Sequence, residues 1–211
     1  MQNLSGLDEP HMESMHYHPI TCETPDCDNA ALTHANYCWK HLPDKQAFVN
    51  ALDPATLEGA WLAGIDLRGM EWAGANLADA RLSKARLDNA NLAGANLERA
   101  FLDEASLQHA NLEEAALGLA VLGGADLSNA NLRGADMKRV NLVGATAAKA
   151  DFTGADLYYS RPGNGAFQGA LFVNAHLQRA VFRRADLAEA DLTGATGRAN
   201  FENANLRGVK Q

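Results

Sequence analysis

Aromatic residues are scarce in this 211-residue chain, 7% of the total, although hydrophobic residues make up 47%. Leu and Ala must supply the apolar mass, which excludes a core of large interlocking rings and points to a thin, regular one. No uncharged run approaches the roughly 20 apolar residues that cross a bilayer, so no membrane span is expected. The opening MQNLSGLDEPHMESM lacks the basic and apolar regions of a secretory signal. Cysteine is confined to Cys22, Cys27 and Cys38, an odd number in one short stretch, which argues against a secreted disulfide framework. A cytoplasmic location is expected. A basic surplus is missing too: 18 Lys and Arg face 26 Asp and Glu, net -8. Residues 1–54 hold eight acids against Lys40 and Lys45, which leaves the remainder at -2. Such an acidic amino-terminal part is unsuited to a phosphate backbone, so direct nucleic-acid binding is not expected.

The machinery of catalysis is equally sparse. There is no nucleophile elbow, no phosphate-binding glycine loop and no convincing acid pair. Ser83, Ser106, Ser128, Ser160, His109 and His176 are scattered without an orienting partner, so no enzyme is expected.

What the chain has in abundance is one phrase. From Ala55 onward, positions divisible by five are mostly Ala and the residue two further on is usually Leu, as in NANLAGANLERA at 89–100. A helix would scatter residues five apart around its axis, and a flat strand would send them to alternate faces. The chain must instead bend once per repeat, so that every Ala and Leu points to one axis while successive coils stack about 4.8 Å apart. That is a solenoid.

These A(N/D)LxG units resemble the pentapeptide repeat family, over about residues 55–208. The resemblance implies an all-β, right-handed, four-sided parallel β-helix of about 7–8 coils. Leu would fill the interior, Ala would line the wall, and Asn or Asp would bond backbone at the turns. Departures include Trp72, Met137, Ala147, Pro162 and Gly197 at Leu positions, and Ile65, Met70, Val140, Ser160 and Gly165 at Ala positions. The SRPGNG stretch at 160–165 is expected to bulge because Pro162 lacks a donor, and Tyr158, Tyr159, Arg161 and Asn164 beside it are candidate partner contacts. A one-residue slip follows Gly197.

With twenty residues per coil, outward side chains sort into columns. One acidic face carries Glu71, Glu113, Glu114, Asp151 and Asp191, with Glu202 assigned to it, against Arg133. The opposite face carries Arg81, Arg161, Arg183 and Arg184 with Trp61, Phe101 and Val121, a basic and apolar stripe suited to an interface. Both are candidate partner-binding faces. Some members of the family imitate a DNA rod and bind a type II topoisomerase, DNA gyrase, in quinolone or toxin resistance; the resemblance brings that reading as an alternative to a scaffold for another protein partner. The carboxylates are far sparser than duplex phosphates, about one per 1.7 Å of axis. The relatives' carboxy-terminal dimerisation helix has no counterpart here, so association of two copies would run through the uncapped last coil.

Ahead of the repeats lies CETPDCDNAALTHANYCWKHLP. Cys22, Cys27, Cys38 and His41 have spacings suited to a closed tetrahedral Zn²⁺ site, structural rather than catalytic, and the segment resembles zinc-knuckle or treble-clef-like modules. His34 is a spare ligand candidate. The expected organisation is a disordered leader over 1–19 that includes His11, His16 and His18, a zinc-binding module over 20–42, a short capping helix over 43–54 with Phe48, Val49 and Leu52 on one side, and the β-helix over 55–211.

Overall fold

Leu at every fifth position can reach one axis only if the chain turns between successive leucines, and the bonding pattern shows that turn. In a computed structural model, which describes residues 20–211, the carbonyl of Leu112 accepts from Ala115 N at 3.1 Å, and the same closure recurs in repeat after repeat. The third residue of each turn has a positive φ, as a type II turn requires. Four turned units make one coil. Parallel bridges join residues twenty apart, from Trp61↔Arg81 onward, each side contributing a single bridge. About eight coils stack over roughly 35–40 Å. Phe152 and Phe172, one coil apart, lie with ring centroids 4.8 Å apart and planes 3° from parallel, which registers the coil spacing directly.

The interior is a continuous apolar column. Leu and Ala of the repeat are buried from Leu57 to Ala190, each leucine contributing about 1.5–3 kcal/mol of burial. The few phenylalanines are concentrated inside the later coils, where Phe152, Phe167, Phe172 and Phe182 pack on one another and Phe201 stacks on Phe182 at 5.2 Å. Asn and Asp before each Leu act as expected. The Asn111 Oδ1 accepts from Glu113 N at 3.2 Å, and Asp151 Oδ1 from Thr153 N at 2.9 Å. Their amides also climb from coil to coil, with Asn131 donating to Asn111 at 2.9 Å and Asn111 to Asn91 at 3.2 Å.

The four sides are named from their first bridged residue: side A from Trp61, B from Asp66, C from Glu71 and D from Asn76. The slip after Gly197 is real, because Val181 pairs with Asn200, Asp186 with Asn205 and Asp191 with Lys210, nineteen residues on. It corrects one assignment. Asn200 belongs to side A, so Glu202 follows it there and sits 3.6 Å from Arg183 rather than joining the acidic side.

The bulge expected at SRPGNG is absent. Arg161 keeps its bridge to Asn141, and Gly144 N donates to the Gly163 carbonyl at 3.0 Å. What Pro162 removes is the donation to the next coil that the Leu of other repeats makes, and with it the bridge between Arg161 and Val181, but Val181 N still reaches the Ser160 carbonyl at 3.0 Å. Gly165 replaces Ala because an added Cβ would meet Phe167 Cε2 at 2.6 Å. Phe152, Phe172 and Phe182 each follow a buried Ala, so it is the placing of the Phe167 ring at this site that takes the room of the methyl.

A helix, α1 (Lys45–Ala51), precedes the first coil. Asp44 caps it, accepting from Ala47 N at 2.9 Å. Val49 is buried in the core column, with Phe48 and Leu52 packed against it. A short 3-10 turn, Pro54–Thr56, leads into the first coil, and the Pro54 carbonyl accepts from Asn76 N at 2.8 Å. The expected leader, with His11, His16 and His18, lies outside the described residues.

Candidate functional site

Two tight turns and an antiparallel bridge between Thr21 and Ala30 fold the segment before α1 so that its four metal-ligand candidates converge. The His41 N–H donates to the Cys38 carbonyl at 3.0 Å, which brings both side chains to one side of a single turn. The four ligand atoms of Cys22, Cys27, Cys38 and His41 lie within 4.8 Å of one another. A tetrahedral ion bonded at about 2.3 Å to sulfur and about 2.0–2.1 Å to nitrogen separates two thiolates by about 3.8 Å and thiolate from imidazole by about 3.5 Å. Cys27 Sγ and Cys38 Sγ are 3.9 Å apart, and His41 Nδ1 is 3.5 Å from Cys22 Sγ and 3.6 Å from Cys38 Sγ. His34 is exposed and stands outside the cluster.

The thiols differ in acidity. Burial pushes the Cys22 thiol up, but hydrogen bonds from the Thr24 side chain, the backbone of Cys38 and Thr24, and His41 outweigh it and bring it down to about 5. At Cys27 the Asn29 backbone favours the thiolate, yet burial and the neighbouring Cys22 and Cys38 thiols push it up. A second negative charge is resisted until a cation neutralises the group. Asn29 Nδ2 approaches Cys27 Sγ at 3.5 Å, an outer contact of the kind that orients ligands.

The cluster is tied to the rod. Thr33 N donates to the Trp61 carbonyl at 2.9 Å, and Trp61 N donates back to Thr33 Oγ1 at 2.6 Å. These are the groups that a preceding coil would otherwise bond, so Thr33 of the cysteine segment occupies the open edge of side A in a coil's place. Sequence reasoning missed this contact, because nothing in the local pattern marks Thr33. It also changes the role of Trp61, which is half-buried under the segment rather than freely presented.

On the rest of side A, Arg81 stacks between rings, 3.9 Å from the Phe101 centroid and 5.5 Å from that of Trp61. Phe101 and Val121 are half-buried by their column neighbours, whereas Arg161, Arg183 and Arg184 are exposed, together with Val143 and Val181. With Glu202 counted here, the side carries five bases against three acids, net +2.

Side C is less acidic than the column sorting suggested. Glu71, Glu113, Glu114, Asp151 and Asp191 do line it, but Lys210 joins Arg133, giving net -3. Asp151 pairs with Arg133 at 3.2 Å and Asp191 approaches Lys210 at 3.7 Å. Glu71 accepts from Asn91 Nδ2 at 2.9 Å, and Glu113 sits 3.4 Å from Asn131 Nδ2. The burial of Asp151 pushes its carboxyl up, and bonds from Thr153 and Arg133 hold it below its usual range on balance; at Asp191 the Thr193 bonds do the same.

The sequence profile described as Pentapeptide repeats matches residues 54–89, 85–124, 120–157 and 166–196, in 8 copies. The chain belongs to the pentapeptide repeat family. Its members adopt right-handed β-helices, and the coils described above are of that kind. No match was found among curated protein sequences. Solved structures similar to this pentapeptide repeat chain include full-length QnrB1, a plasmid-mediated fluoroquinolone resistance protein (17% identity, 75% of this chain and 87% of that one, TM-score 0.39). HetL, involved in heterocyst differentiation regulation in Nostoc sp. strain PCC 7120, is 25% identical over 78% of this chain and 93% of its own (TM-score 0.25). A pentapeptide repeat protein of the Arabidopsis thaliana thylakoid lumen is 30% identical over 53% and 68% (TM-score 0.30). Among the described residues, no helix is long and apolar enough to cross a membrane.

Proposed function

We propose that this pentapeptide repeat protein is a non-catalytic scaffold that presents a rigid β-helical face to a protein partner. The observation that carries the reading is the contrast between an interior filled without a break from Leu57 to Ala190 and a side A that places aromatic, aliphatic and basic side chains in register on the outside. A filled rod offers chemistry no enclosed cleft. It does offer a surface whose backbone is held by bonds between every pair of coils, so a partner meets side chains already positioned. On this reading Phe101 and Val121 supply the apolar centre and Arg161, Arg183 and Arg184 the charged margin.

The amino-terminal cluster is read as a structural Zn²⁺ site held by Cys22, Cys27, Cys38 and His41. Its donor set and three separations of 3.5–3.9 Å, within a cluster whose ligand atoms all lie within 4.8 Å, support a closed tetrahedral ion, and its task is to keep the segment fastened over Trp61. Association of two copies through the last coil, where Leu206 is 41% exposed, belongs with the same reading and is checked by light scattering.

Imitation of DNA toward a type II topoisomerase such as gyrase is the weaker alternative. Side C has a net three negative charges over about 35–40 Å, against about one per 1.7 Å of duplex, and its two aspartates already face cations. The test is a pull-down from the native cell with Phe101→Asp and Val121→Asp. Loss of the captured partner with unchanged circular dichroism supports side A. Retention of the partner by both variants, or an effect of the wild-type protein on gyrase supercoiling that Glu113→Lys and Asp151→Lys abolish, overturns it.

A further inference from the structure

The left-handed third position of each turn suits glycine best, since any Cβ there is crowded. The corner that closes side C departs from this preference at Glu114 and Asn174 but follows it on five coils, with Gly74, Gly94, Gly134, Gly154 and Gly194. The corner between sides D and A does not. Arg99, Leu119, Arg139, Tyr159 and Arg179 occupy it on five successive coils, with φ of 55°, 62°, 58°, 56° and 63°. None is Gly, Asn or Asp, the residues that take this conformation most readily. Lys84, Glu104, His109, Lys149 and Arg184 take the same conformation at other corners, but interspersed there with Gly or Asn, whereas this line keeps strained side chains on five successive coils, which points to what they contact.

The charge of this corner points to that contact. Residues 98–101, 118–121, 138–141, 158–161 and 178–181 contain one acid, Glu98, against Arg99, Lys138, Arg139, Arg161 and Arg179. Arg99 is bound to Asp79 at 2.6 Å, and Lys138 to Asp136 and Asp156. Among the described residues Arg139, Arg161 and Arg179 have no ion pair. The Arg179 guanidinium instead lies 4.8 Å from the Tyr159 ring centroid. Leu119 and Tyr159, interleaved with the arginines, are 46% and 42% exposed.

We propose that this corner binds an acidic amphipathic helix of a protein partner, laid along the rod axis. The inference rests on the scaffold reading and names the chemistry of the partner. Coils rise 4.8 Å and an α-helix rises about 5.4 Å per turn, so successive helical turns meet successive coils with a drift of about 0.6 Å each, within reach of arginine side chains. Carboxylates two turns apart then face Arg139 and Arg179, which have no ion pair among the described residues, and the apolar residues beside them face Leu119 and Tyr159. An extended chain repeats a face about every 6.6 Å and falls out of step at once. A nucleic acid would have to approach a chain of net charge -8.

The test uses the full chain and a fluorescein-labelled helical peptide with Glu every seventh residue and Leu midway, followed by anisotropy. A scrambled peptide of the same composition and a single-stranded DNA oligonucleotide serve as competing probes. The patterned peptide should bind preferentially and weaken as salt rises. Arg139→Gly and Tyr159→Gly should each weaken it about tenfold or more, while Tm stays at or above that of the wild type, because glycine now occupies the left-handed position. Equal binding of the scrambled peptide, preference for the oligonucleotide, unchanged affinity in both variants, or a lowered Tm in both overturns the proposal. Failure here with the Phe101→Asp pull-down still positive removes this corner and leaves the scaffold reading standing.

Discussion

Ser160 occupies a wall position that Ala holds in most repeats, and replacing it with Ala should stabilise the protein. The residue is fully buried, and its Oγ has no hydrogen-bond partner among the described residues. Its backbone is engaged regardless of the side chain, with Ser160 N donating to the Leu157 carbonyl at 3.0 Å and its own carbonyl accepting from Val181 at 3.0 Å. A hydroxyl buried without a partner costs about 1–3 kcal/mol in protein mutational data, and losing one atom's dispersion contacts returns a small part of that. Ser160→Ala should therefore gain about 1–2 kcal/mol. At about 2–4 °C per kcal/mol for a chain of this size, Tm should rise by roughly 2–8 °C. Ala155→Ser, at the preceding wall position and equally buried, should lose a comparable amount. Urea unfolding followed by far-ultraviolet circular dichroism reads both. A destabilised Ser160→Ala, or an unaltered Ala155→Ser, would mean that this wall accommodates a hydroxyl and that the reasoning from the unpartnered oxygen is wrong.

Other expectations follow from neighbouring features. Gly165→Ala should destabilise by about 1–3 kcal/mol although Ala is the usual residue there, because the new Cβ meets Phe167 at 2.6 Å and the Ala145 carbonyl at 2.9 Å; Phe167→Leu should cost less in the Gly165→Ala chain than in the wild type, since it relieves the first of these contacts, and a neutral single variant refutes the explanation. Elemental analysis should find one zinc per chain, and chelation should loosen the Thr33 contact and alter tryptophan fluorescence; metal-free protein that a chelator leaves unchanged would remove the zinc reading. The hydrogen bond from Arg68 holds the Asp66 carboxyl below its ordinary value, ahead of the opposing burial. A carboxylate so depressed contributes stability present above its unfolded value, near pH 4, and lost as pH falls through the folded value. Arg68→Gln should raise the Asp66 titration seen by NMR toward the ordinary range, and an unmoved titration would show that Arg68 is not the cause.

The period of five was legible because it alone dictates one bend per repeat, and with it came the buried wall, the bonding Asn and Asp, and the break after Gly197. The left-handed corners were equally written in the sequence, as the glycines at 64, 69, 74 and 94, but they carry no weight until the turn closing on the following Ala is known. Pro162 suggested a larger disturbance than it makes, because a proline in a one-bridge side removes a single donor while its neighbours keep the coil in register. Glu202 was misplaced because its side depends on where the missing residue falls, which the bridge from Val181 to Asn200 decides. The Cys and His spacing foretold the cluster. The bonds between Thr33 and Trp61 were hidden, since they join segments 28 residues apart through groups every residue possesses.

The shortened last coil shows what a change of length does to such a molecule. Removing one residue between Thr196 and Asn200 moved everything after it by one position while Ala204 and Leu206 kept the Ala-to-Leu spacing. An insertion of one whole repeat in the middle would leave the core intact but rotate every later residue by a quarter turn, carrying Arg161, Arg183 and Arg184 from side A to the next. Only a change of twenty residues keeps both. The chain is thus read in two frames at once, a frame of five in which errors cost folding and a frame of twenty in which errors leave a well-folded rod facing the wrong way.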